Sequence, residues 1–396
     1  MTACSDVSAY QWLTGDEARA QLDELAADRA ALHAAVARLR ERFSAEQTHL
    51  LLEQVELRRR ASAKFAQSHG MFFTRTGLEQ ATDEWVAAYK ASRFKQRHGG
   101  ASIAAVADLC CGIGGDLIAL TREEPTLGID SHPVAAHFAA VNSGARVEAM
   151  NVVEYDVASA IAWHIDPDRR ANRRRTSSLE ACEPNLSTIE RLLTRNPHAA
   201  LKLAPATHVP LAWAERCELE WISRDGECRQ LVAWHGELAQ KPGQRLATIL
   251  ARQGDSTPHT VVGVPDQRVP IVRSPERFVF DVDAAVLAAR LKGALAADYS
   301  LSALSSGATY LTGPRPVGNA ALACFEVAEV MPLQTRKLAH YLRERAVGKL
   351  EIKKRGVDLT PEQLRRELKL RGDDAATLLI CRVGGRPTAI VARRIV

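Results

Sequence analysis

From Asp108 to Asp116 the chain reads Asp108-Leu109-Cys110-Cys111-Gly112-Ile113-Gly114-Gly115-Asp116, three glycines and two carboxylates in nine residues. Glycines let a backbone turn tightly and approach a ligand closely. By itself such a loop suits NAD, a phosphate, S-adenosylmethionine (SAM) or a plain tight turn. Asp130 stands 22 residues after Asp108, at the end of the apolar run TLGID. A carboxylate there can accept two hydrogen bonds from a ribose diol. Asn151 follows the next β-like run, with an amide suited to an adenine edge and Val152 beside it to cover the adenine face. Asp166-Pro167 closes a fourth run, ASAIAWHID.

The position of the acids separates the ligand classes. A dinucleotide loop brings pyrophosphate onto a helix N-terminus, with its first glycine almost on the strand. Here Asp108 precedes the first glycine by four residues, and Asp116 falls in the first turn of the following helix. Both repel an anion. An acid at Asp108 suits the ammonium group of the methionine part of SAM.

These residues need elements to position them. AAVADL, TLGID, RVEAMN, ASAIAWHID and HAALKLAP read as strands, and DLIALTRE and PVAAHFAAVNSG as helices. Alternation of this kind predicts a parallel sheet covered on both faces, and the carboxyl ends of such strands are where open α/β sheets bind ligands. Upstream, Asp16 starts a helical pattern running to Phe43, with Leu22, Leu25, Leu32, Val36 and Leu39 at helical spacing, and Ser44 with Gln47 marks a second start. Gly70 to Gly77 reads as a loop and Leu78 to Phe94 as one helix. Asp225-Gly226 and Gly384-Gly385 predict hairpins. DAAVLAARLKGAL and PLQTRKLAHYLRERA read as helices, as does TPEQLRRELKL, with Thr360 as N-cap and Pro361 at its first position. The boundaries expected are a helical domain at 1–98, an α/β domain at 99–263 and a basic α+β domain at 264–396.

With these motifs the chain resembles the class I SAM-dependent methyltransferases. DLCCGIGGD is similar to their first motif, GIDSHP to the acidic second-strand motif and AMNVVEYD to the adenine-contact region. IDPDRR stands where many members have DPPY or DPPW. Within the superfamily the pattern looks most like the branch of trimethylguanosine synthase and RNA guanine-N2 methyltransferases. The layout, with DPxRR and Lys202-Leu203-Ala204-Pro205, resembles bacterial members carrying a C-terminal THUMP-like domain. The resemblance implies a Rossmann-like sheet and SAM as cofactor. Asp108, Cys110, Gly112, Gly114 and Gly115 would line its methionine end, Asp130 and Ser131 the ribose, and Asn151 and Val152 the adenine. Segment 70–80, with Phe73 and Thr74, would close over it. Asp166 and Pro167 would be catalytic, orienting the acceptor for in-line transfer. The DPPY aromatic is replaced by Arg169, which can stack on a base or grip phosphate.

Composition sets the frame. The 396 residues are 46% hydrophobic and 25% charged, the mixture of a globular chain. No run of about 18 apolar residues predicts a membrane span, the N-terminus does not read as a secretory signal, and the expected location is cytoplasmic. The 8 cysteines form no CxxC pair and the histidines no HExxH cluster, so no metal site is expected. Cys110 or Cys111 as a nucleophile is the minor reading; small packed residues are the major one. The net charge of +5 conceals an asymmetry. Residues 331–396 hold 16 Lys/Arg against 7 Asp/Glu, a net of +9, which leaves −4 for the rest. That tail, including Lys353, Lys354 and Arg355, and the run Arg169, Arg170, Arg173, Arg174 and Arg175 beside the expected site, point to RNA as partner. Two alternatives stand beside an RNA methyltransferase: a methyltransferase for a small molecule or protein, and a non-catalytic SAM- or RNA-binding protein.

Overall fold

A computed structural model describes residues 7–27, 32–95, 106–168, 178–251 and 257–395. Its contacts divide the chain into two units, residues 1–218 with 232–242, and residues 219–231 with 243–396.

In the first unit, five parallel strands lie in the order β3-β2-β1-β4-β5: β1 (Val106–Leu109), β2 (Thr126–Asp130), β3 (Arg146–Ala149), β4 (Trp163–Ile165) and β5 (Ala199–Leu203). Every residue of β1, β4 and β5 is buried, as expected of strands covered on both faces. The order reverses between β1 and β4, and this switch opens a crevice at the carboxyl ends of the strands. Helix Leu117–Glu123 follows β1, helix Pro133–Ser143 follows β2 and helix Leu186–Arg195 precedes β5. Pro133 opens its helix at the first position and Gly144 closes it in a left-handed conformation.

The N-terminal helices share a core with this sheet's helices. Helices Ser8–Leu13, Asp16–Ala27 and Ala45–Ala61 bury Leu13, Leu22, Leu51 and Leu57 in one cluster with Ile113, Val134 and Phe138. The pattern expected from Asp16 to Phe43 forms two described helices, Asp16–Ala27 and Leu32–Arg42, and residues 28–31 lie outside the described residues. Ser44 and Gln47 close the expected capping box, at 3.1 and 3.0 Å.

One expected helix is two. Residues 78–94 fall into helices Arg75–Gln80 and Glu84–Lys95. Asp83 breaks the run, since its carboxylate accepts from the Val86 N–H at 3.1 Å and caps the second helix. Lys64 stops the first, donating to the carbonyls of Leu78, Glu79 and Ala81 at 2.7, 3.1 and 2.8 Å. These are orphan acceptors of a helix end, where a cation also meets the favourable end of the dipole.

The second unit takes up residues 219–231 of the hairpin of β6 (Glu218–Arg224) and β7 (Glu227–Trp234). Asp225 and Gly226 both have positive φ, the turn that Asp-Gly predicts. β8 (Arg245–Leu250) runs parallel to β6, and β9 (His259–Gly263) antiparallel to β8. A seven-stranded sheet follows in the order β11-β12-β10-β13-β16-β15-β14, from β10 (Phe278–Val282), β11 (Ser302–Ala303), β12 (Tyr310–Gly313), β13 (Leu322–Pro332), β14 (Val347–Lys354), β15 (Asp374–Val383) and β16 (Arg386–Arg394). Helices Thr335–Glu344 and Pro361–Leu368 bury Leu338, Leu342, Leu364 and Leu368 against Leu378, Ile380 and Val391 of this sheet. The helix expected over DAAVLAARLKGAL is also two, Ala284–Ala288 and Lys292–Asp298, because Arg290 turns left-handed between them. Among the described residues no helix is long and apolar enough to cross a membrane, and no cluster of three His, Cys, Asp or Glu could hold a metal ion.

Candidate active site

A cavity of about 720 Å³ opens at the β1/β4 switch, within the range of small-molecule sites. It gathers most of the residues expected from the sequence: Phe73, Thr74, Asp108, Cys110, Gly112, Gly115, Asp130, Ser131, Asp166 and Pro167. Three expected residues lie outside its lining. Gly114 packs against helix Pro133–Ser143, where a Cβ would stand 3.2 Å from the Cα of Ala139. Asn151 is exposed and its side-chain Oδ1 accepts from the Val153 N–H at 3.1 Å, capping a short turn that buries Val152. Arg169, Arg170, Arg173, Arg174 and Arg175 fall outside the described residues.

The loop after β1 is shaped by its backbone. Cys110, Gly112 and Gly114 all have positive φ, at 55°, 57° and 90°. A Cβ on Gly112 would meet nothing within 4 Å, so this glycine leaves open space towards the cavity. Asp130, at the end of β2, ties the loop down. Its Oδ2 accepts from the Gly112 N–H and its Oδ1 from the His132 N–H, both at 2.8 Å. Burial raises the Asp130 pKa, against the opposing pull of these two donors. A carboxylate oxygen accepts more than one hydrogen bond, so both retain capacity for a ligand diol.

Segment 70–80 covers one side. Gln54 holds the Phe73 backbone at both its N–H and its carbonyl, at 3.0 and 2.6 Å. Phe73 packs on Phe65, and Phe72 on Phe138, with centroids 6.0 and 5.8 Å apart. Both rings are core, at 1% and 0% exposure. Thr74 caps helix Arg75–Gln80, accepting from the Gly77 N–H at 2.9 Å.

Beneath the cavity lies a buried ionic chain. Asp108 Oδ1 is 2.7 Å from His164 Nδ1, and His164 Nε2 is 3.1 Å from Lys90 Nζ. Lys90 Nζ is 2.7 Å from Asp116 Oδ1, and Thr82 donates to Asp116 Oδ2 at 2.7 Å. Burial pushes the Asp108 carboxyl up and the Lys90 ammonium down. Burial acts on Asp116 too, but Lys90, His164 and Lys202 outweigh it and hold that carboxyl well below its ordinary value. Asp108 Oδ2 has no hydrogen-bond partner among the described residues. At the other end, Lys202 Nζ lies 2.5 Å from Asp166 Oδ2 and 3.1 Å from the Gln80 carbonyl. Gln80 also donates to Asp168 at 2.9 Å. Burial pushes the Cys110 and Cys111 thiols well above their ordinary value, which disfavours a thiolate nucleophile.

Lys90, His164 and Gln80 carry no part in the sequence reading. Lys90 had a signal: it shares the apolar stripe of helix Glu84–Lys95 with Val86, Ala87 and Phe94, all buried. A lysine on such a stripe needs a buried partner. His164 is equally out of place inside the buried strand β4.

The chain is 32% identical over 362 residues to an uncharacterized S-adenosylmethionine-dependent methyltransferase of Mycobacterium tuberculosis, covering 87% of this chain and 96% of that one. Residues 322–394 match the THUMP domain-like family. A crystal structure of a protein from Porphyromonas gingivalis W83, provisionally named a methyltransferase, superposes with a TM-score of 0.73, at 21% identity over 90% of this chain and 92% of that one. It shares the fold. The cavity residues fit SAM. Asp108 Oδ2 offers a buried acceptor, unpartnered among the described residues, for an ammonium, Asp130 offers two acceptors for a diol, and Gly112 leaves open space in the same cavity lining.

Proposed function

The chain belongs to the S-adenosylmethionine-dependent methyltransferases, and from that premise we propose that it methylates a base of RNA, with Asp166 and Pro167 positioning the acceptor atom. The observation that carries this reading is Asp166, which leaves β4 on the same cavity as Asp108 and Asp130. Lys202 occupies its Oδ2 and leaves Oδ1 without a partner among the described residues. A free carboxylate oxygen and the Pro167 carbonyl can each accept an N–H, which turns a nitrogen lone pair toward the methyl group. SAM supplies an activated sulfonium methyl, so the chain has only to bind, align and accept a proton. The Lys202 ammonium holds the Asp166 carboxylate in place from its other oxygen. Within this reading Asp108 and Asp130 take the two polar ends of SAM, Ser131 stands beside Asp130, and segment 70–80 closes over the site.

RNA as the substrate rests on the THUMP-like match and on the basic tail. Not every cation of the tail is available. Lys353 and Arg355 pair with the buried Asp281 at 2.9 and 3.3 Å, Arg393 with Glu326, and Arg394 with Glu351. Arg336, Lys337, Lys349, Lys354, Lys369, Arg371 and Arg386 are exposed, and among the described residues none makes an ion pair. These would supply the phosphate contacts, and the run from Arg169 to Arg175 would extend them.

The test is transfer of a labelled methyl group from SAM to total RNA, to a protein fraction and to a metabolite extract. Label should enter RNA with the wild type and not with Asp166→Ala, while that variant still binds S-adenosylhomocysteine (SAH). Label in protein or metabolites alone rejects the RNA reading. Undiminished transfer by Asp166→Ala rejects the role of Asp166.

A further inference from the structure

Two buried carboxylates lie under the cavity. Asp108 and Asp116 are both buried, and Lys90 stands against Asp116, not Asp108. His164 is the side chain that faces Asp108. An ammonium has only donors, so Lys90 donates to His164 Nε2 as well as to Asp116. With Lys90 as donor, His164 Nε2 accepts and its Nδ1–H faces Asp108 Oδ1 at 2.7 Å. This leaves Oδ2 of Asp108, a residue of the cavity lining, as its one unpartnered oxygen among the described residues.

The imidazole gives Asp108 one hydrogen bond and leaves its second oxygen without a partner among the described residues. That is the arrangement for a buried carboxylate whose counter-charge arrives with the ligand, since an unpaired buried charge is costly until it is matched. We propose that Lys90 and His164 are positioning residues which act through Asp108, holding its free oxygen toward the ammonium at the amino-acid end of SAM. The proposal rests on the reading above in which Asp108 faces that end. The groups around the chain are Asp108 on β1, Lys90 and Thr82 ahead of β1, Asp116 between β1 and β2, and Lys202 on β5. Lys202 is held by Asp166 and the Gln80 carbonyl, which leaves Lys90 as the cation bonded to His164.

The positioning role differs from a merely structural one in which ligands it affects. SAH carries the amino-acid end, whereas 5′-methylthioadenosine keeps the adenosine and thioether but lacks the ammonium. Binding of both is measured by titration calorimetry on the full chain, for wild type, Asp108→Asn, His164→Gln and Lys90→Met, with thermal melts as the control for folding. His164→Gln and Lys90→Met should weaken SAH by about ten- to a hundred-fold, the scale of one charge-assisted hydrogen bond. They should leave 5′-methylthioadenosine within about two-fold, below the scale of one such bond. Equal weakening of both ligands, or no weakening of SAH, overturns the positioning role. Selective loss of SAH in Asp108→Asn but not in the other two variants overturns this inference and leaves the site reading intact. An unchanged ligand ratio in Asp108→Asn rejects the site reading itself. If His164→Gln does not fold, Lys90→Met decides, because a methionine fills the same stripe without a charge.

Discussion

Replacing Asp130 by alanine separates a ribose-binding carboxylate from a loop-holding one. Asp130 makes two backbone hydrogen bonds, to Gly112 and His132, each at 2.8 Å. Both tie down the loops that form the cavity wall, and in the proposed site the same oxygens would accept from the ribose diol. The substitution therefore removes two charge-assisted hydrogen bonds to the ligand and loosens the Gly112 loop. At about 1.5 to 3 kcal/mol per bond, the ligand loses roughly 3 to 6 kcal/mol, or about 10² to 10⁴ in affinity. SAH binding by titration calorimetry should fall by at least a hundred-fold. The melting temperature should fall by only a few degrees, since Gly112 and His132 can turn to water. A second variant, Asp130→Asn, retains one acceptor but sets an NH₂ group against a backbone donor, so it should fall between the wild type and Asp130→Ala. SAH affinity within ten-fold of wild type in Asp130→Ala, with the fold intact, refutes the assignment of this carboxylate to the ribose.

Three further outcomes follow from the geometry. Gly114→Ala should destabilise the protein by about 1 to 3 kcal/mol, because its Cβ would press on the Ala139 backbone at a φ of 90°; Gly112→Ala, with nothing within 4 Å of its Cβ, should melt nearer to wild type and instead weaken SAH. SAH affinity should fall as the pH drops through the raised Asp108 pKa, because the protonated acid no longer attracts an ammonium, and should level off above it; 5′-methylthioadenosine should show no such step, and an identical pH profile for both ligands disproves the assignment. Lys354→Ala with Arg371→Ala should lower the salt dependence of RNA binding by about 0.7 per lost phosphate contact, whereas Lys353→Ala should act mainly on stability by leaving Asp281 one cation short; a larger RNA effect from Lys353 than from Lys354 would contradict the division into paired and free cations.

The parts of the fold legible in the sequence were those governed by local chemistry. The capping box at Ser44, the Asp225-Gly226 turn and the Gly384-Gly385 turn each depend on a few neighbouring residues, and all three are present. The two misread helices failed for the opposite reason. Apolar periodicity continues through Asp83 and Arg290, yet the cap made by Asp83 and the left-handed turn at Arg290 interrupt it. Strands β10, β12, β13 and β14 went unread, since their pairing is between distant segments and β10 and β12 are buried at every residue, without alternation.

The same division runs through the candidate site. Sequence alone determined the glycine loop, the acid at Asp130 and the Asp166-Pro167 pair, because spacing along a strand–loop–helix unit dictates which side chains reach one sheet edge. It also determined the charge asymmetry, which is a matter of counting. Only the tertiary structure decided that Asp108 shares His164, Lys90 and Asp116 in one buried chain, that Lys202 holds Asp166, and that Lys353 and Arg355 are occupied by Asp281. These partners lie tens of residues apart. Burial, rather than spacing, forces such charges to find each other, because an ion removed from water must be paired where the fold puts it.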